Sequence, residues 1–390
     1  MSIGTIFSTY VEQLVAGGAG LGCYENQSVF IDDSCPGDTL LARVYEEHRG
    51  WARAKVLELT APSPYRVTPF CPFYQTCGGC SLQHIAYETQ LAEKERILRV
   101  AFTRIGGISA LPEITVRASP AFEYRNRVQF HYIREGSGKT ALGFKARNSG
   151  TLVSVSDCPV ADPLIRRALA DKCLTPPPEK DRFSVYARGD ILLSEGGKSR
   201  GPVPILDRYV LMDAGAFFQS NALMLEVLIQ DLLGVSAGLD TSLNAADIYC
   251  GVGTFAAFLP FPCMDLVEQD KVAISLAREN MRIKGTQGQS LFRYFAQSAD
   301  EWARTSAFDY GFVVLDPPRQ GLSPFLRQRL SCAGLPVLAY VSCDPATLAR
   351  DTKELLAGGY QLRSLTLYDF YPQTPHIESL AIFTHTGGRQ

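Results

Sequence analysis

From about residue 206 onward the chain alternates short apolar runs with helical patterns, and this rhythm limits the fold more than any other feature. Candidate strands fall at 246–250, 264–268, 291–296, 310–316, 337–342, 362–368 and 379–384. Helical stretches separate most of them, while little separates the last two. That pattern predicts an α/β domain over 206–390, a mostly parallel doubly wound sheet ending in a hairpin. Between Phe255 and Met264 there are few residues and two prolines, so an abbreviated first crossover helix is expected.

The first sixty residues read differently. Short β-type runs at 29–31, 40–45 and 51–57 are cut by Gly17-Gly18, Asp32-Asp33, Pro36-Gly37 and Arg49-Gly50, the signature of a small closed barrel. Four basic side chains face eight acidic ones here, fewer cations than nucleic-acid barrels usually carry. Ala61-Pro62-Ser63-Pro64 reads as a stiff linker. A central domain is expected over 65–205. Its helix at about 85–105 stops at Gly106-Gly107 and is expected to pack on the 206–390 domain.

The 390 residues are 46% hydrophobic and 20% charged, which excludes a disordered, collagenous or coiled-coil chain. Neither a membrane-spanning run nor a signal peptide is visible, so a protein working in the cytoplasm without a membrane partner is expected; separately, a monomer is expected. With 38 basic and 40 acidic residues the net charge is −2. A nucleic-acid partner therefore needs a local basic face. Residues 121–150 supply one: Arg125, Arg127, Arg134, Lys139, Lys145 and Arg147 against Glu123 and Glu135, interleaved with Phe122, Tyr124, Phe130, Tyr132 and Phe144. Such a mixture suits phosphates and splayed bases; a solvated strand with an aromatic core face has the same pattern.

Chemistry concentrates at predicted strand ends. In Asp247-Ile248-Tyr249-Cys250-Gly251-Val252-Gly253-Thr254 a strand feeds a glycine turn into a helix, where a ligand approaches backbone amides closely. Glu268 ends the next strand, where an acid accepts hydrogen bonds from ribose hydroxyls. Asp316-Pro317-Pro318-Arg319 leaves Asp316 and backbone carbonyls at the same sheet edge, because proline removes amide donors. In Ser342-Cys343-Asp344-Pro345 a thiol meets a helix start, a setting expected to stabilise a nucleophilic thiolate. Glu378, beside the Pro-rich loop 372–376, is a candidate general base ahead of His376.

Eleven cysteines in a reducing compartment point to metal or catalysis before disulfides. Cys71, Cys77 and Cys80 lie in Cys-x5-Cys-x2-Cys spacing around Gly78-Gly79, with Cys158 the best-flanked distant fourth. Four thiolates suit a [4Fe–4S] cluster or zinc, and Cys77/Cys80 alone also fit a redox dithiol.

These motifs, in this order, resemble the RNA uracil-5-methyltransferase family, in particular its iron–sulfur 23S rRNA branch. The resemblance implies a Rossmann-like methyltransferase domain, an N-terminal OB-like TRAM barrel over 1–60 and a central iron–sulfur domain. It implies S-adenosylmethionine held by Gln219 (in Phe217-Phe218-Gln219-Ser220-Asn221), Tyr249, Gly251, Gly253, Thr254, Glu268, Ser298 and Asp316. It further implies a [4Fe–4S] cluster on Cys71, Cys77, Cys80 and Cys158. Cys343 matches the nucleophile and Glu378 the base of a reaction that methylates carbon 5 of a uridine through a Cys–carbon-6 adduct. Thr254 and Ser298 depart from the family's usual Asn. A tRNA uridine methyltransferase, an RNA cytosine-5-methyltransferase, a non-catalytic iron–sulfur RNA-binding protein and an NAD-dependent oxidoreductase are the competing readings.

Overall fold

The computed structural model describes residues 2–134, 140–147, 149–284, 291–385 and 387. Its contacts divide the chain into two compact units. One comprises Met1–Ile97, Ile133–Val155 and Tyr371–His376; the other comprises Leu98–Tyr132, Ser156–Phe370 and Ile377–Gln390. Residues 65–205 are thus shared between both, and the helix expected at 85–105 is cut by the division. That helix spans Tyr87–Ala101 and continues as a wider-wound turn, Phe102–Gly106. Gly107 ends it in the left-handed conformation, as its glycine pair predicts.

The first unit opens with six strands in the order Ile6–Tyr10, Thr39–His48, Trp51–Ala61, Gln27–Asp32, Gly20–Tyr24, Gln13–Leu14. Only the Gln27–Asp32/Trp51–Ala61 pairing is parallel. The Thr9 hydroxyl bonds both the N–H and the carbonyl of Cys23, linking the first strand to the fifth in that order and curling the sheet. Phe7, Val29, Ile31, Leu40, Val44 and Ala54 fill the interior, so alternate residues of every long strand point inward. The expected linker is not a loose boundary. Ser63 is buried, with its N–H on Asp38 Oδ1 at 2.9 Å and its hydroxyl on the Pro36 carbonyl. Arg66 closes on the same carboxylate at 2.7 Å. A buried carboxylate needs several donors, and the segment supplies them.

The second unit is built on an eight-stranded sheet. Its strands are β1 (Ile114–Arg117), β2 (Ala245–Ile248), β3 (Cys263–Val267), β4 (Leu291–Phe295), β5 (Phe312–Leu315), β6 (Val337–Ser342), β7 (Tyr360–Tyr368) and β8 (Glu378–His385), in spatial order β4-β3-β2-β5-β6-β8-β7-β1. The five strands from β4 to β6 are parallel, and β8 runs antiparallel to both β6 and β7. Every residue of β2, β5 and β6 is buried, which is why they read as unbroken apolar runs. The first crossover helix has only five residues, Thr254–Phe258, because Pro260 and Pro262 forbid its continuation.

Candidate active site

Parallel strands that end together place their following loops on one edge, so β2, β3, β4, β5 and β6 deliver Tyr249–Gly253, Glu268, Ser298, Asp316 and Cys343 to a common rim. Strand β8 runs the other way and therefore starts at that rim with Glu378. Ser342 pairs with Ser379 across β6/β8, so Cys343, which directly follows β6, and Glu378, which opens β8, each adjoin that pair in the sequence. The Ser379 hydroxyl donates to the Ser342 carbonyl at 3.3 Å and fixes this junction.

Cys343 is half-buried in a tight turn. The Ser342 hydroxyl bonds both the N–H and the carbonyl of Asp344, and Asp344 caps helix Pro345–Ala357 through Thr347 N–H at 2.8 Å. The expected stabilised thiolate is not what this arrangement produces. Burial and the charges of Glu378 and Asp316 push the Cys343 thiol up to about 12, against a smaller opposing pull from Arg319. The helix start already carries the Asp344 carboxylate, so its dipole has little left to offer the sulfur.

Glu378 is buried, with Oε1 lacking a hydrogen-bond partner among the described residues. Desolvation, then repulsion from Asp316, raises it well above the ordinary carboxylate range, while Arg319 pulls it down. Asp316 is raised to about 7 by withdrawal from water, opposed by a hydrogen bond from Gln219 Nε2 at 3.3 Å. Arg319 has no role that its motif reveals; its charge lowers both Cys343 and Glu378, a reach visible only in three dimensions.

The glycine turn is held open by backbone geometry. Tyr249, Gly251 and Gly253 have φ of 65°, 54° and 78°. A Cβ at Gly253 would lie 3.1 Å from the Ala277 Cβ, so this residue lets the turn sit against its neighbouring helix. Gly251 N–H donates to Glu268 Oε2 at 3.1 Å and Asp270 N–H to Oε1 at 2.8 Å. A carboxylate has about four acceptor sites, which leaves room for ribose hydroxyls. Asp247, overlooked as a functional group, is buried, accepts Ala256 N–H at 3.1 Å and is raised by burial to about 7. Ser298 caps helix Ala299–Thr305 in a reciprocal box with Glu301, so its hydroxyl serves the helix. Thr254 opens the short helix. The buried Gln219 Oε1 lacks a partner among the described residues, a vacant acceptor at the same rim.

The expected RNA-binding stretch is partly structural. Tyr124 and Phe130 are core residues and Phe122 is 48% exposed; Lys139 and Glu135 lie outside the described residues. Arg127 donates to Ser184 Oγ at 3.0 Å. Arg147 lies over the Tyr74 ring, pairs with Asp33 and donates to the carbonyls of Cys77 and Cys80. Around the cysteines, Gly78 N–H bonds the Lys145 carbonyl and Gly79 N–H points at Cys77 Sγ, 3.4 Å away. Among the described residues no group of three or more His, Cys, Asp or Glu side chains able to hold a metal ion is found. No described helix is long and apolar enough to cross a membrane.

Residues 204–386 match the family model described as tRNA (Uracil-5-)-methyltransferase. An uncharacterized RNA methyltransferase of Treponema denticola is 31% identical, over 92% of this chain and 94% of the relative. The 23S rRNA (uracil(1939)-C(5))-methyltransferase RlmD of Aeromonas hydrophila is 30% identical, over 93% of each chain. The crystal structure of Pyrococcus abyssi tRNA (uracil-54, C5)-methyltransferase with S-adenosyl-L-homocysteine superposes with a TM-score of 0.74 at 25% identity, covering 97% of this chain and 99% of that one.

Proposed function

Since this chain belongs to the RNA uracil-5-methyltransferase family and is an S-adenosylmethionine-dependent enzyme, we propose that it methylates carbon 5 of one uridine in 23S rRNA through a covalent Cys343 adduct. One observation carries this reading: Cys343 follows and Glu378 precedes the paired residues Ser342 and Ser379 of β6/β8, and the Glu378 charge reaches the Cys343 sulfur. The rRNA target is favoured by the Aeromonas relative's name and by its cover of nearly the whole chain. A structured tRNA is the second reading, prompted by the Pyrococcus neighbour.

Carbon 5 of uracil is too poor a nucleophile to attack a methylsulfonium unaided. S-adenosylmethionine, when bound, supplies the electrophilic methyl group. Gln219, Tyr249, Gly251, Gly253, Thr254, Glu268, Ser298 and Asp316 would hold it, and the vacant Gln219 acceptor and the open glycine turn fit a polar ligand. The Cys343 thiol gives up its proton to water as its sulfur adds to carbon 6, and the displaced electron pair gathers on the ring as an enolate. Carbon 5 then takes the methyl group in line, a step governed by positioning. Glu378 removes the carbon-5 proton, the ring double bond re-forms and Cys343 leaves. The uridine must leave its stack first, at a cost of a few kcal/mol. We assign RNA contacts to the barrel over 1–60 and to the exposed part of 121–150, within the three-part division 1–60, 65–205 and 206–390. The thiols of Cys71, Cys77, Cys80 and Cys158 we assign to a [4Fe–4S] cluster, supported by their spacing and by the amide aimed at Cys77 Sγ; no step of the reaction passes through it.

Deleting the gene should remove 5-methyluridine from one position of 23S rRNA, and Cys343→Ala should fail to restore it. Glu378→Gln should trap a protein–RNA band that resists denaturant. Loss of the mark from tRNA alone would move the target there, and full activity of Cys343→Ala would end the covalent mechanism.

A further inference from the structure

The loop leading into β8 carries hydrogen bonds that the reaction leaves unexplained. Gln373 stands five residues before Glu378 and is buried with a φ of 67°, a left-handed backbone that non-glycine residues adopt only when their surroundings compel it. Its N–H donates to Gln90 Oε1 at 3.0 Å, and its side-chain Oε1 accepts from Gln90 Nε2 at 2.9 Å. Its carbonyl accepts from the N–H groups of Ser81 and Leu82, each at 3.0 Å. Gln90 is 1% exposed and its amide also reaches the Leu82 and Ile85 carbonyls. One turn further along the same helix, buried Lys94 donates to the Tyr371 carbonyl at 3.1 Å. The clamp thus joins positions 283 residues apart, and Ser81 directly follows Cys80.

We infer that Gln90 and Gln373 are positioning residues for the base: by fixing the loop 371–376 they set where Glu378 begins its strand. The inference rests on the covalent mechanism proposed above. In that mechanism Glu378 acts once, after methyl transfer. Its carboxylate takes the carbon-5 proton, the C–H electron pair becomes the carbon-5/carbon-6 double bond, and the carbon-6–sulfur bond breaks to release the Cys343 thiolate. A base displaced by a fraction of an ångström slows this step and leaves adduct formation untouched.

The test is a single turnover on RNA carrying tritium at carbon 5 of the target uridine, with a labelled methyl donor. In the wild type, methyl incorporation and tritium release keep pace. In Gln90→Ala, methyl incorporation stays within about twofold while tritium release slows about tenfold or more, and adduct accumulates. Gln373→Gly keeps the backbone bonds and relieves the left-handed strain, so it slows release about threefold. Each variant should keep its thermal shift with S-adenosylhomocysteine. Parallel loss of both signals, unchanged tritium release, or loss of the thermal shift would each overturn the inference. If Glu378→Gln itself traps no adduct, the covalent mechanism has failed; if it does while the clamp variants do not, only the clamp has failed.

Discussion

At the Cys343 sulfur, withdrawal from water, reinforced by the charges of Glu378 and Asp316, outweighs the pull of Arg319. The sequence places the thiol before a helix start, and that much is correct. What no local pattern reveals is that Glu378 is buried and that Asp316 acts on both Glu378 and Cys343, because each comes from a different strand. A thiol raised to about 12 stays protonated in the RNA-free enzyme at neutral pH. Negative neighbours disfavour the thiolate, so removing one must lower the thiol's pKa. Peptide-resolved iodoacetamide labelling should therefore show Cys343 reactivity rising about tenfold per pH unit up to pH ~10 without a plateau. Glu378→Gln should shift the same curve to lower pH. A wild-type plateau below pH ~9 would contradict the electrostatic account.

Periodicity located the elements of the catalytic sheet because their apolar runs are long and their turns carry glycine or proline. All seven expected strands are present, with ends moved by a residue or two, and the terminal hairpin is β7/β8. The strands Ile6–Tyr10, Gln13–Leu14 and Gly20–Tyr24 were not anticipated: they are short, polar on one face or glycine-containing, and they gain definition only by pairing. The clamp between Gln90 and Gln373 has no local signal at all. At the glycine turn, by contrast, element geometry yields a ranked prediction. An alanine at Gly251 meets nothing within 4 Å and costs only its left-handed backbone, about 1–2 kcal/mol. An alanine at Gly253 adds a 3.1 Å approach to Ala277, which the turn and helix must relieve by shifting a few tenths of an ångström. Urea unfolding should show Gly253→Ala less stable by about 2–3 kcal/mol and also weaker in S-adenosylhomocysteine binding. Equal losses in the two variants would refute the packing argument.

At the scale of the whole molecule, a net charge of −2 conceals an RNA-directed enzyme, since phosphate affinity depends on where cations sit. The basic stretch was legible as a stretch but not as a surface: burial assigns part of it to the core, and the neighbours of Arg147 assign that residue to the cysteine loop. The same contacts make the cysteine proposal separable from catalysis. The loop is stitched to the strand Thr140–Lys145 through Gly78 N–H on the Lys145 carbonyl and through a bridge between Cys77 and Ala146. All of these belong to the first unit, whereas Gln219, Glu268 and Asp316 belong to the second. Loosening the loop should thus disturb that strand, proposed above among the RNA contacts, and leave Gln219, Glu268 and Asp316 in place. Protein purified without oxygen should hold about four irons and four sulfides per chain. Cys77→Ser should lose that iron and bind target RNA about tenfold more weakly, a change of about 1.4 kcal/mol, while its affinity for S-adenosylmethionine is unchanged. An iron-free wild type with full RNA affinity would remove the cluster from the account. Equal loss of both affinities would show that the loop serves the fold as a whole.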